Sequence, residues 1–310
     1  MKPFISVIIP NFNRQHLIQR AIESVNQQHY SNVEIIVVDD QSTDQSVSII
    51  QDLQKQQDNL SLFVVEENSG ANACRSLGVE QAEGEYLAFL DSDDYFLPTK
   101  LEKQVRILQD RPEVGFVVTG FGAKAVHTLP EGIIPLKETI KQNNLGGFST
   151  LMVRKNLFQQ VGGLDLQLLS CQDWDLFLKL LQVSQGYKLA EDLVVYEIQE
   201  DSISKNSTKV IQGYKIVSQK ARAINQTLQI LSERDLLAYQ EYYLAMRYFK
   251  LGQIKETRQH LWKSLHMKPR PIPFLYWACS LLGYSALKKL LQAKQIIISN
   301  KNSNMSGEFL

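Results

Sequence analysis

The sequence predicts an α/β fold, a mixed and mostly parallel sheet flanked by helices, followed by a helical C-terminal appendage. Two observations carry that expectation. Up to residue 121, short β-branched runs alternate with amphipathic segments, as strands joined by crossover helices do. Beyond about residue 205 the strand signals stop, glutamine becomes frequent and helical periodicity dominates. The chain is therefore expected to divide into residues 1–205, a helical region over 206–298 and a polar, disordered tail over 299–310.

Each element has its own signal. FISVIIP (4–10) reads as a strand and 15–28 as a helix. VEIIVVDD (33–40) is the next strand, and 44–57 a helix that starts near Ser42 and Asp44, both good cap types. LSLFVV (60–65), a helix over 71–82 and EYLAFLD (85–91) follow. Pro98 opens another helix, and VGFVVTGF (114–121) is a further strand. Residues 122–147 show little periodicity and read as a loop that could cover a substrate. FSTLMVRK (148–155) reads as a strand returning to the sheet, CQDWDLFLKLLQ (171–182) as an amphipathic helix with an acidic start, and LVVYEI (193–198) as the last strand. Residues 238–271 fit one tetratricopeptide frame. Leu244, Ala245, Tyr248, Gly252, Leu261 and Pro269 stand at its packing, turn and stop positions, and Thr257 and Ser264 at its small positions. A single copy implies a helical hairpin packed on the main domain rather than a binding array.

Composition narrows the function classes. Lys+Arg and Asp+Glu are both 33 in 310 residues, so bulk charge gives no argument for nucleic acid. Cys74, Cys171 and Cys279 lie far apart, form no metal pattern and suit a reducing compartment. The N-terminus MKPFISVIIPNFNR looks like a buried strand rather than a signal peptide, and no apolar run reaches the ~20 residues of a spanning helix. A cytoplasmic location follows as the expectation. The stretch over 273–294, with aromatics beside Lys288, Lys289 and Lys294, fits peripheral contact with the inner membrane face; a helix packed on its predecessors fits as well.

The chemistry gathers where such sheets bind ligands, at the carboxyl ends of the strands. Residues 11–14, 39–40, 68–70 and 91–94 all fall there. EYLAFLDSDD is the most telling, because Asp91, Asp93 and Asp94 crowd the end of a buried strand. Such carboxylates repel one another and lose hydration unless a cation or partner compensates. Mg2+ and similar hard cations bind through one or two carboxylates plus substrate phosphates, so the simplest reading is a metal–diphosphate site. One of the three, Asp94 above all, can instead cap the helix near Pro98.

SVIIPNFNR, VVDDQSTD, ENSGANACRSLGV, YLAFLDSDD and CQDWDLFLKL, in this order and spacing, resemble family 2 glycosyltransferases of the GT-A fold, over about residues 3–205. The resemblance implies a Rossmann-like GT-A domain. It also implies a UDP-sugar or related donor, Mn2+ or Mg2+, inversion in a single displacement, and a role in polysaccharide biosynthesis on a saccharide or lipid-linked acceptor. By this resemblance Asp93 binds the metal, Asp91 faces the donor ribose or a metal-bound water, and Asp94 can replace Asp93. Asp40 accepts from the nucleobase, and Pro10, Asn11 and Asn13 line its pocket. Arg75, more than Arg14, meets the diphosphate. Asp173 is the general base, at a helix start whose dipole favours the ionised form. Trp174 either lines the acceptor site or packs, and Asp175 is structural.

Two departures stand out. The family's glutamate before the base is Gln172 here, and its histidine after the last strand is matched by Gln199, a poor metal ligand. His127 receives no role. Gly146-Gly147 permit close backbone approach to a ligand or make a plain turn. Ser149 and Thr150 could touch the acceptor, and neither is assigned. Other classes stay open. A nucleotidyltransferase usually shows a glycine-rich loop that PNFNR lacks, and a dehydrogenase needs the G-x-G-x-x-G that is missing. Gln172 and Gln199 leave room for a catalytically weakened scaffold protein acting through its helical tail.

Overall fold

The computed structural model describes residues 2–120, 129–197 and 207–292. Contacts divide the chain into two compact units, Met1–Lys205 and Asn206–Leu310.

In the first unit β1 (Ile5–Asn11), α1 (Ile18–Asn26), β2 (Val33–Asp39), α2 (Ser46–Gln54), β3 (Leu60–Val64), α3 (Ala71–Gln81) and β4 (Tyr86–Phe89) alternate in order. They are followed by β5 (Tyr95–Phe96), α4 (Lys100–Asp110), β6 (Val114–Gly120), β7 (Gly132–Ile133), α5 (Leu136–Thr139), β8 (Leu151–Arg154), α6 (Lys155–Gln160), α7 (Gln172–Leu180), β9 (Gln185–Asp192) and β10 (Val194–Val195). Among the described residues the main sheet has eight strands, in the order β3-β2-β1-β4-β8-β6-β9-β7. β3, β2, β1 and β4 run parallel, and β8 lies antiparallel between β4 and β6. All seven residues of β1 are buried, because helices cover both faces of the sheet. On one face Ile5, Val7 and Ile9 meet α1, α2 and α4. On the other, Ile8, Ile36 and Val38 meet α3, α6 and α7. The expected mixed, mostly parallel sheet flanked by helices is what the chain adopts.

α3 lies close on β1 because Gly78 carries no side chain. A Cβ there would stand 2.5 Å from Ile8 Cγ2. This approach brings the start of α3 to the strand ends. The parallel register aligns Asn11 with Asp39, and the Leu90 amide bonds Ile8 O at 3.0 Å, so β1, β2 and β4 finish together.

Several expectations are corrected on the far side of the sheet. The stretch 122–147 is not plain loop, since β7 and α5 lie within it. Residues 148–150 form a 3-10 turn, so β8 starts only at Leu151, and Lys155 begins α6. LVVYEI contributes only β10, which pairs with β5 in a separate two-stranded ribbon. The strand that joins β6 on the side away from β8 is β9, whose Gly186 and charged Lys188, Glu191 and Asp192 hide it from a hydrophobic pattern. Gly186 is required there, because a Cβ would meet the Phe116 ring at 2.3 Å.

In the second unit α8 (Ser207–Leu228), α9 (Glu233–Lys250), α10 (Ile254–Met267) and α11 (Pro271–Leu281) follow one another. α9 and α10 form an antiparallel hairpin whose turn needs the left-handed Gly252, φ 73°. Ala245, Thr257, Leu261 and Ser264 are fully buried. Ser264 donates to Ala238 O at 2.7 Å, which satisfies the hydroxyl inside the hairpin. The expected tail over 299–310 lies outside the described residues, as do His127 and Gln199.

Candidate active site

The strand ends are cross-linked by short polar side chains. Asp39, fully buried, accepts from the Ser42 amide and hydroxyl and from Asn11 Nδ2, each at 2.7 Å. Asn13, at φ 51°, accepts from the Thr43 amide at 2.8 Å, and its own amide bonds Ser42 Oγ. Asp44 accepts from the Ser46 and Gln15 amides, and these bonds hold its pKa below the usual range against the opposing effect of burial. The β1–α1 and β2–α2 loops thus form one rigid rim. Asn11 Oδ1 is buried there and has no hydrogen-bond partner among the described residues.

Asp40 is 4 % exposed and braces the loop before α3. Its two oxygens accept from the Ser69 amide at 2.7 Å and the Gly70 amide at 2.8 Å, with Gly70 at φ 86°. The brace sets the direction of α3 and hence of Arg75. Arg75 is buried, ion-paired to Asp91, and its guanidinium lies 4.2 Å from the Phe148 ring centroid. Its Nε has no partner among the described residues, so one strong donor is left over. Arg14 is tied into the rim, with Nη1 on Asn13 O.

The three aspartates have different surroundings. Asp94 is 1 % exposed, accepts from Ser149 Oγ at 2.5 Å and from the Glu197 amide at 3.3 Å. Burial, with the charges of Asp91 and Asp93, pushes its pKa up to about 8. Asp91 and Asp93 are half-buried. Arg20 donates to Asp93 O at 3.0 Å and pairs with Glu197 at 2.6 Å, which fixes the turn. Ser149 also accepts the Asp91 amide, so this serine works inside the carboxylate cluster. Among the described residues no group of three or more His, Cys, Asp or Glu side chains forms a metal cage. The hard oxygen donors at the strand end nonetheless suit a cation completed by substrate phosphates.

Asp173 opens α7 after the left-handed Cys171, φ 60°. Its Oδ1 accepts from the Trp174 amide at 2.8 Å and its Oδ2 from Asn143 Nδ2 at 2.9 Å. Asn143 is itself pinned to Gly146 O and the Leu145 amide. Burial pushes the Asp173 pKa up to about 6, opposed by the Trp174 amide and Arg75 and aided by Asp91. Asp173 therefore shares one electrostatic site with Arg75 and Asp91.

Trp174 is placed otherwise than an acceptor contact requires. It is 1 % exposed, and its indole N–H donates to Thr139 O at 2.7 Å, so it ties α5 to α7 inside the core. Asp175 is buried beside Lys179, 3.0 Å away, and Gln172 donates to Leu168 O. Asn143 is the site residue sequence reasoning missed, because it lies in an aperiodic stretch and carries no signal. Ser149, considered in the sequence only as an acceptor contact and left unassigned, works instead within the carboxylate cluster, beside the strand that pairs with β4.

The comparisons with known proteins agree with this geometry. The family profile described as "Glycosyl transferase family 2" matches residues 6–155. The putative teichuronic acid biosynthesis glycosyltransferase TuaG of Bacillus subtilis is 34% identical over 216 residues, 67% of this chain and 84% of that protein. The GalNAc(5)-diNAcBac-PP-undecaprenol beta-1,3-glucosyltransferase of Campylobacter jejuni is 26% identical over 322 residues, 96% of this chain and 100% of that protein. Among solved structures, S. aureus TarS 1-349 in complex with UDP-GlcNAc has a TM-score of 0.64 at 18% identity, covering 94% of this chain and 92% of that one. The mannosyltransferase PcManGT from Pyrobaculum calidifontis, in complex with GDP-Man and Mn2+, also reaches 0.64 at 17% identity, covering 99% and 88%. Both structures share the GT-A fold with this chain. Motifs, sheet order and relatives converge, and the chain belongs to glycosyltransferase family 2 and is a glycosyltransferase.

Proposed function

We propose that the protein transfers a sugar from a nucleoside-diphosphate donor, a UDP-sugar, to a hydroxyl acceptor with inversion in a single displacement. The observation that carries this reading is Asp173: a half-buried carboxylate at a helix start, held by two hydrogen bonds and sensing both Arg75 and Asp91. A pKa near 6 leaves it ionised at neutral pH yet basic enough to accept a proton.

The donor base docks at the ends of β1 and β2, among Pro10, Asn11, Asn13 and Asp40. A carboxylate offers about four lone-pair sites, so Asp40 can keep its brace and also accept a base N–H. Asn11 Oδ1 is a second acceptor available to it. The orphaned Nε of Arg75 receives a diphosphate oxygen. A Mn2+ or Mg2+ ion held by Asp93, with Asp91 beside it, would neutralise charge on the departing diphosphate. Asp94 is buried against Ser149 and positions this turn. Asp173 takes the proton of the acceptor hydroxyl as its oxygen attacks the anomeric carbon and the C–O bond to the diphosphate breaks. The bound UDP-GlcNAc of TarS, the Mn2+ of PcManGT and the lipid-linked substrate in the Campylobacter enzyme's name support donor, metal and acceptor classes respectively. The separate cysteines Cys74, Cys171 and Cys279 suit a reducing, cytoplasmic setting.

The test is turnover of a panel of nucleotide-sugars with Mn2+ present, followed by NMR of the product's anomeric proton. Inversion of configuration is expected. Retention, or release of diphosphate from a nucleoside triphosphate without sugar transfer, would overturn the reading.

A further inference from the structure

In a chain with no net charge, residues 257–292 contain no Asp or Glu and six Lys or Arg. The same segment carries α11, which has no charged residue and turns apolar side chains outward. Its buried stripe is Pro273, Tyr276 and Ser280. Ile272, Phe274, Leu275 and Leu281 are exposed, Phe274 by 58%, and Leu282 just beyond is 81% exposed. An apolar face pointing outward on a water-exposed helix is unfavourable unless something covers it. Beside it on α10, Trp262 is 54% exposed and packs at a tilt against Trp277, with ring centroids 5.2 Å apart. Lys255 and Arg258 line a shallow cleft around this tryptophan pair. Lys288 and Lys289, also exposed, follow on the next helical turns.

We infer that this face of the helical unit docks on an anionic lipid bilayer, with Phe274, Leu275 and Leu282 entering the interface, the tryptophans at headgroup depth and the lysines on lipid phosphates. The charge pattern selects that occupant. A stretch of this length without a carboxylate complements a surface of one sign, and amphipathic residues such as tryptophan suit the boundary between headgroup and acyl chain. At eleven residues α11 is about 16 Å long, half of the ~30 Å hydrocarbon core. It therefore lies on the bilayer, and among the described residues no helix is long and apolar enough to cross one. Compared with the contact expected over 273–294, whose last two residues lie outside the described ones, the inferred face also takes in Trp262. The inference is independent of the transfer chemistry proposed above.

The test is sedimentation of the full chain with vesicles of phosphatidylcholine alone and with vesicles containing phosphatidylglycerol. Binding to the second, weakened by salt, is expected. Lys288→Gln with Lys289→Gln should weaken it about fivefold per charge removed. Phe274→Gln with Leu275→Gln, at exposed positions that leave the fold intact, should weaken it more than tenfold. Circular dichroism of each variant verifies folding, and turnover with a soluble acceptor should be unchanged. Failure to bind either vesicle overturns the inference. So does binding that survives the apolar variants, which would assign the segment to general polyanion capture. A dimer in light scattering that the apolar variants dissociate, without vesicle binding, would make a second copy the occupant and also overturn it.

Discussion

Replacing Asp173 by asparagine isolates the proton-transfer step, because the new side chain keeps the shape of the old one. Its amide oxygen can still accept the Trp174 amide, now 2.8 Å from Oδ1, so the start of α7 is preserved. The other end changes. Asn143 Nδ2, 2.9 Å from Oδ2, would face an NH2 group and lose its acceptor. One lost hydrogen bond at a half-buried position costs about 1 kcal/mol. In a unit of this size that lowers Tm by about 2–4 °C. The chemical loss is far larger. A positioned general base contributes about 10²–10⁴-fold, so kcat should fall by about a thousandfold, or roughly 4 kcal/mol in the barrier. Donor binding should change little, since no hydrogen bond joins Asp173 to Arg75 or Asp91 among the described residues. The assay is single-turnover transfer alongside calorimetric donor affinity. Transfer within tenfold of the unsubstituted enzyme would refute the assignment of Asp173 as base.

Further outcomes follow from the structure. The unsubstituted enzyme should lose kcat/KM as pH falls through about 6, because burial raises the Asp173 pKa to that value and only the ionised form accepts a proton. Asn143→Asp puts a like charge beside it, so this acid limb should move to higher pH; an unmoved limb in the pH–rate profile would mean that another group titrates. Trp174→Phe leaves the Thr139 carbonyl without its donor and should cost about 1–3 kcal/mol in denaturant unfolding, while the acceptor KM of the folded fraction stays the same. Lys188 is 1% exposed, its Nζ has no hydrogen-bond partner among the described residues, and burial lowers its pKa. Lys188→Met should therefore stabilise the fold by about 1 kcal/mol or more. Between its lowered folded-state pKa and the usual lysine value the unfolded chain binds more protons than the folded one, so stability of the unsubstituted protein rises with pH there. The advantage of the methionine variant should shrink accordingly as pH rises toward the usual lysine range, as thermal melts would record.

The parallel half of the sheet was legible because β1, β2 and β4 are buried on both faces and read as nearly unbroken apolar runs ending in polar residues, while the edge strand β3 is partly exposed. β1 and β2 illustrate this, with Asn11 and Asp39 at their ends. The antiparallel half was not. β9 carries Lys188, Glu191 and Asp192 at a sheet margin, where only tertiary pairing with β6 makes it a strand. At the site, residue type pointed to the carboxylates but not to the work each does. Asp91, Asp93 and Asp94 are near-equivalent in sequence. Arg75 and Ser149, remote along the chain, divide them into an ion-paired, a half-buried and a fully buried carboxylate. Trp174 was ambiguous for the same reason, since its partner Thr139 lies 35 residues away.

The central claim is that the ends of β1, β2 and β4 form one nucleotide-diphosphate site completed by a cation on Asp93. Titration calorimetry of UDP into the protein, with Mn2+ and then with a chelator, tests it most directly. Binding in Mn2+ is expected to be lost in chelator and lost again in Asp93→Asn with metal restored. Undiminished UDP affinity in chelator, or in that variant, would contradict the account.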